Sequence, residues 1–162
     1  HILRFTDANA DGAPDLLAVG ADGYSPAEDL VGLTLALSRR GRWTDLGFGL
    51  TGNAEPYLWP SGSLQPGSQV RFVLRDAPPG AFAALVFGLT ELHLPFKGGV
   101  LVPTPHLIVT IGPIDSAAVA SLAANWPPNL PSGTELWAQG WIPDSGAPAG
   151  LASSNAVRGT TP

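Results

Sequence analysis

Glycine and proline cut this chain into short pieces. There are 20 Gly and 17 Pro among 162 residues, spread along the whole length. Proline removes a backbone donor and glycine costs backbone entropy, so neither suits the interior of a long helix. Both suit turns. Five Trp, six Phe and many Leu and Val lie between them. That is enough apolar volume to fill a core, so the punctuation reads as the turns of a β protein rather than as disorder.

The segments between the turns support this. Gln69–Arg75 alternates, with Val70, Phe72 and Leu74 on one face, and Asp76–Gly80 turns after it. Phe82–Leu89 is an apolar run of strand length. A turn at Lys97–Gly99 precedes Val100–Val102, Pro103 and Pro105 flank an edge or a crossover, and His106–Ile111 alternates again. Glu135–Ile142 places Leu136, Ala138 and Gly140 opposite Trp137, Gln139 and Trp141, and Ala152–Thr160 reads as a polar last strand. Ala27–Arg40 and Ala117–Trp126 suit helix or strand, with Gly32 and Gly41 favouring strand for the first. Short strands with regular turns, and no helices between them, predict an all-β fold: an antiparallel β-sandwich with an N-terminal β appendage. A composition shift near Trp43–Gly47 divides the appendage, residues 1–45, from the sandwich, residues 46–162.

Charge excludes several partners. Charged residues make up 13% and the formal net charge is −5, against a globular norm of about 25% charged. Arg39, Arg40 and Arg42 are the one basic cluster. Nucleic acid and anionic membranes need a larger basic face, so neither is an expected partner. No apolar stretch is long enough to span a bilayer as a helix. The absence of Cys rules out disulfides, thiolate metal sites and a cysteine nucleophile. A chain beginning at His1 without Met reads as a processed or truncated segment, with any signal peptide upstream, and Thr160-Thr-Pro162 reads as a natural chain end.

The sharpest motif is Asp7-Ala-Asn-Ala-Asp-Gly-Ala-Pro-Asp15. Calcium takes six to eight oxygens at about 2.3–2.6 Å. Asp7, Asn9, Asp11 and Asp15 place side-chain oxygens at loop positions one, three, five and nine, Gly12 permits the turn, and the Ala13 carbonyl adds a backbone ligand. An EF-hand would need Glu at the twelfth position, which is Ala18. Asp, Asn and Gly also favour turns without any ion, which is the bland alternative.

The loop followed by Leu16-Leu-Ala-Val19 resembles the FG-GAP or VCBS-type repeat of bacterial surface proteins and integrin-like propellers. The resemblance covers about Ile2–Trp43, one blade's worth. It implies a calcium loop preceding a strand, with Asp7, Asn9, Asp11 and Asp15 as ligands. One blade cannot close a propeller. Leu94–Pro103, Asn125-Trp-Pro127, Leu130-Pro-Ser-Gly133 and Ala152–Pro162 resemble a C-terminal domain that recurs on large secreted proteins of planctomycete-like environmental bacteria, often after FG-GAP-type repeats. That resemblance covers about Leu46–Pro162. It implies an extracellular or cell-surface location and no particular activity.

Catalytic signals are weak. His93 and His106 lie in no metal-ligand or nucleophile–base spacing, no Gly-x-Ser-x-Gly elbow is present, and the carboxylates Glu55, Glu91, Asp115, Glu135 and Asp144 are isolated in sequence. The aromatics are more informative. Trp137 and Trp141 share one face of a strand, and Tyr57 and Trp59 form a similar pair. Either pair can stack on sugar rings if exposed, or fill the core, which the sequence favours.

The first expectation is therefore a non-catalytic extracellular structural or adhesive module stabilised by calcium. The arm His1–Phe5 could join copies into a fibre by strand addition. The alternative is a carbohydrate-binding module of a secreted hydrolase, contacting glycan through Trp137, Trp141, Tyr57 or Trp59. An enzyme domain ranks last.

Overall fold

The computed structural model describes residues 2–6, 15–20, 32–36 and 42–162, with side chains from Trp43 onward. It divides into two compact units, His1–Arg40 and Gly41–Pro162. In the first unit β1 (Ile2–Thr6), β2 (Asp15–Gly20) and β3 (Gly32–Ala36) form an antiparallel sheet in the order β1-β2-β3. The segment 27–40, open between helix and strand in sequence, contributes β3 as a strand.

The second unit starts earlier than the composition shift implies. β4 (Arg42–Gly47) runs across position 45 and pairs with the last strand, β13 (Leu151–Thr160). The remaining elements are β5 (Tyr57–Ser61), β6 (Gln69–Arg75), β7 (Ala83–Gly88), β8 (Glu91–Phe96), β9 (Gly99–Pro103), β10 (Leu107–Ile111), β11 (Ala120–Asn125) and β12 (Glu135–Pro143). Among the described residues no helix is long and apolar enough to cross a membrane.

The expected all-β class is what forms. A five-stranded sheet runs β10-β7-β12-β13-β4, and a three-stranded sheet runs β11-β6-β5. Alternation decides which side chains meet between them. Val70, Phe72 and Leu74 of β6, Leu58 of β5, Leu85 and Phe87 of β7, and Ala138 and Ile142 of β12 form one buried cluster. Phe72 packs edge-on against both Trp43 and Phe87, with ring centroids 5.4 and 5.0 Å away. Such pairs add to the area they bury.

The five-stranded sheet is covered on its other face as well. β8 and β9 form a two-stranded hairpin whose Leu101 packs on Val86 and Trp141, and whose Val102 packs on Trp137 and Ala156. This hairpin continues the β7–β10 ladder. Leu107 faces Phe87, Thr104 N–H donates to the Thr90 carbonyl at 2.9 Å, and Pro103 faces Glu91, all in one unbroken register. A single ribbon therefore bends back over the sheet it starts in.

The bend has local causes. A Cβ on Gly88 would sit 2.3 Å from the Thr104 carbonyl oxygen, so only glycine lets the two strands cross this closely. Leu89 N–H donates to His106 Nδ1, and the Thr90 and Thr104 hydroxyls bond each other at 2.9 Å. At the far end Lys97 and Gly98 both have positive φ, 50° and 87°, as a two-residue hairpin turn requires.

Buried polar side chains lock the layers together. Gln139 is fully buried between Trp137 and Trp141. Its Oε1 accepts from Val102 N–H at 3.1 Å, and its Nε2 donates to the Val100 and Phe48 carbonyls. It thereby satisfies backbone groups on the edge of β9. Asn155 of β13 bonds both backbone groups of Leu58 in β5, accepting at 2.7 Å and donating at 3.3 Å. Each side chain does for one sheet edge what a neighbouring strand would do.

Candidate functional site

The outer face of the three-stranded sheet presents the most organised surface. In β5, Leu58 points into the core, so Tyr57 and Trp59 point out. In β6 the same alternation buries Val70, Phe72 and Leu74 and turns Arg71, Val73 and Arg75 outward. Register then fixes the neighbours: Tyr57 faces Arg75, Trp59 faces Val73, and Ser61 faces Arg71. On the β11 side Ser121 lies beside Val73 and Ala123 beside Arg71, both exposed and small.

The aromatic pair is held in place. The Tyr57 and Trp59 ring centroids lie 6.2 Å apart with planes tilted 42°, and Trp59 is 41% exposed. The Tyr57 hydroxyl donates to Asp45 Oδ2 at 2.9 Å, while Gly47 N–H donates to Asp45 Oδ1. Partial burial acts to raise the Asp45 pKa, but the bonds from Gly47, Asn155 and Tyr57 outweigh it and hold the carboxyl below its ordinary value. Donating to that carboxylate, with some desolvation, holds the Tyr57 phenol above its ordinary value. At neutral pH the pair is a phenol on a carboxylate, which fixes the ring's direction.

The tryptophan pair on β12 is placed differently. Trp137 and Trp141 are 6% and 4% exposed beneath the β8–β9 hairpin, and Phe96 packs edge-on against Trp141 at 5.0 Å. The shared face expected from their spacing is real, but it is a covered one. Neither indole offers a face to a sugar ring.

Hairpin β8–β9 carries a second exposed feature. All six residues of β8 are exposed, including Leu92, Leu94 and Phe96, and Leu89 precedes them at 54% exposed. Gln139 occupies the outward backbone groups of Val100 and Val102 in β9, whereas among the described residues β8 has β9 as its one neighbour in the sheet. His93, with φ of 53° at an irregularity in the β8–β9 ladder, packs against Phe48 and lies 3.3 Å from Glu91.

The expected calcium loop, Asp7–Asp15, has residues 7–14 and the side chain of Asp15 outside the described residues. Its frame is described. Thr6 pairs with Asp15, so the β1–β2 hairpin closes the loop at its base, and β2 starts at the last proposed ligand. Among the described residues there is no cluster of three or more His, Asp or Glu that could hold a metal.

Sequence reasoning missed Arg71 and Arg75 as surface partners of Tyr57 and Trp59. The alternation that buried Phe72 already implied that they point outward, but the pairing of β5 with β6 was needed to bring them to the aromatics. It also missed Asp144, which accepts from Asn53 Nδ2, Ala54 N–H and Gly146 N–H at 2.9–3.0 Å. The Asp144-Ser-Gly146 sequence marks the local turn bond to Gly146, but nothing near it points to the bonds with Asn53 and Ala54.

The chain matches no family model, no curated protein and no solved structure.

Proposed function

We propose that this protein is a non-catalytic structural or adhesive module of the extracellular surface, joined to other copies by strand addition. The observation that carries the reading is β8. It is an edge strand with no residue withdrawn from solvent and with three large apolar side chains. Natural sheets protect such edges with charge, proline or a covering element, unless the edge is used. β8 carries Pro95, Glu91 and the ladder irregularity at His93, and still leaves Leu92, Leu94 and Phe96 exposed. A neighbour's β1 is the matching donor: it pairs with β2 on one side and is the edge strand of its own sheet on the other. Calcium at Asp7, Asn9, Asp11, Ala13 and Asp15 would stiffen the hairpin that presents that donor.

Light scattering and negative-stain imaging in calcium buffer test this. Assembly into regular polymers is expected, with dispersal to monomers when Leu92 and Leu94 are both replaced by Lys. A monomer at every concentration would sink the reading.

Exposure of Trp59, beside a half-buried Tyr57, favours a second reading, an accessory module that binds carbohydrate. Quenching of tryptophan fluorescence by polysaccharides, lost in Trp59→Ala, checks it.

A further inference from the structure

We infer that the outer face of the three-stranded sheet binds a linear polysaccharide bearing carboxylate or sulfate groups, with Trp59 under a sugar ring and Arg71 and Arg75 on the anionic groups to either side. The inference rests on the carbohydrate-binding reading and adds the charge of the ligand.

Cations are scarce in this chain. It has eight Lys and Arg against a net charge of −5. Four of those side chains are described: Arg71, Arg75, Lys97 and Arg158. Arg158 lies 3.5 Å from Glu135, and Lys97 sits at the tip of the β8–β9 hairpin. The other two share one face of one strand, and neither forms an ion pair among the described residues. The nearby acid, Asp45, already accepts from Gly47 and Tyr57.

Their positions suit a repeating ligand. Arg71 and Arg75 are four residues apart in an extended strand, so their Cα atoms stand about 13 Å apart. Trp59 faces Val73, midway between them. The order along the sheet is therefore cation, aromatic, cation. An indole face stacks on the C–H face of a pyranose, and a guanidinium fork bonds carboxylate or sulfate in two places. The floor beside Trp59 is Val73, Ser121 and Ala123, none large enough to block a chain lying along β6. Tyr57, fixed by Asp45, continues the aromatic track toward Arg75.

Edge protection does not account for these arginines. Charged residues guard the outermost strand of a sheet, but β6 is the central strand, between β11 and β5.

Binding of the full chain to polygalacturonate, dextran sulfate and unmodified dextran, measured by calorimetry at low and moderate salt, tests the proposal. At least one of the two anionic polymers is expected to bind, more weakly as salt rises, and dextran is not. Polygalacturonate alone would assign the site to carboxylate, dextran sulfate alone to sulfate. Arg71→Gln and Arg75→Gln should each lose about tenfold in affinity and Trp59→Ala a similar factor, with near-ultraviolet circular dichroism unchanged. Dextran binding that ignores both arginine variants would overturn the anionic assignment and keep the carbohydrate reading. No binding to any of the three would remove both. Oligo-dT binding as tightly, with the same arginine dependence, would overturn the choice of a polysaccharide.

Discussion

Three buried polar side chains, Gln139, Asn155 and Asp144, tie separate segments together through bonds to their backbone. Gln139 answers the Val102 amide and the Val100, Phe48 and Ser154 carbonyls. Replacing it with Leu keeps the volume and orphans those groups, at about 1–3 kcal/mol for each buried group left unpaired. Gln139→Leu should lower the urea midpoint with little change in slope. An unchanged midpoint would mean that the hairpin is held by apolar packing alone. Asp144 makes a prediction about pH. Its carboxyl is held below the ordinary value first by the Gly146 amide and then by the amides and side chain of Asn53 and Ala54, against desolvation. A depressed carboxylate contributes stability that is present above its unfolded value of 3.8 and lost as pH falls through the folded one. Asp144→Asn should therefore be less stable than the parent at neutral pH, and the gap should narrow as denaturation is followed below pH 3.8. A gap constant with pH would show that the loss is steric.

Among the elements, the bent ribbon β7–β8–β9–β10 is the one the sequence conceals. Its outer halves, β7 and β10, read as strands because apolar residues run or alternate there. Glu91–Phe96 did not, because Pro95 interrupts it and its side chains face solvent on both sides, so no burial period marks it. Gly88 is the position on which the bend depends. Gly88→Ala drives a methyl group into the Thr104 backbone and should cost about 1–3 kcal/mol or more. The loss should appear as exposure of Trp137 and Trp141, read as a red shift in native-state tryptophan emission. Unchanged emission and an unchanged melting temperature would place the flexibility elsewhere in the ribbon. β5 was equally hard to see: Pro60 sits inside it, tolerated because β5 is the edge strand of its sheet.

At the scale of the whole molecule the division at Arg40 sets the expected response to calcium. An ion bound to the folded form stabilises by mass action. Calcium should raise the unfolding temperature of the His1–Arg40 unit in the full chain, and Asp11→Ala should abolish the rise. A chain of residues 41–162 should unfold at one temperature with or without calcium, because its sandwich closes its own core around Phe72. Differential scanning calorimetry with added calcium and with chelator reads both. No calcium response in the full chain would remove the metal from the proposed function.

Sequence alone determined the class of this protein and which side chains of a strand share a face. Val70, Phe72 and Leu74, or Trp137, Gln139 and Trp141, share a face because side chains alternate in any extended strand, whatever surrounds it. Alternation gives two faces and does not say what lies against each. Tertiary structure decided that. It laid the hairpin over Trp137 and Trp141, and so took from them the exposed stripe their spacing allowed. It set β5 beside β6 in a register that places Trp59 opposite Val73, between the two arginines of the next strand. The first outcome depends on packing between segments distant in sequence and the second on the register of two consecutive strands, and neither is set by the alternation within one strand.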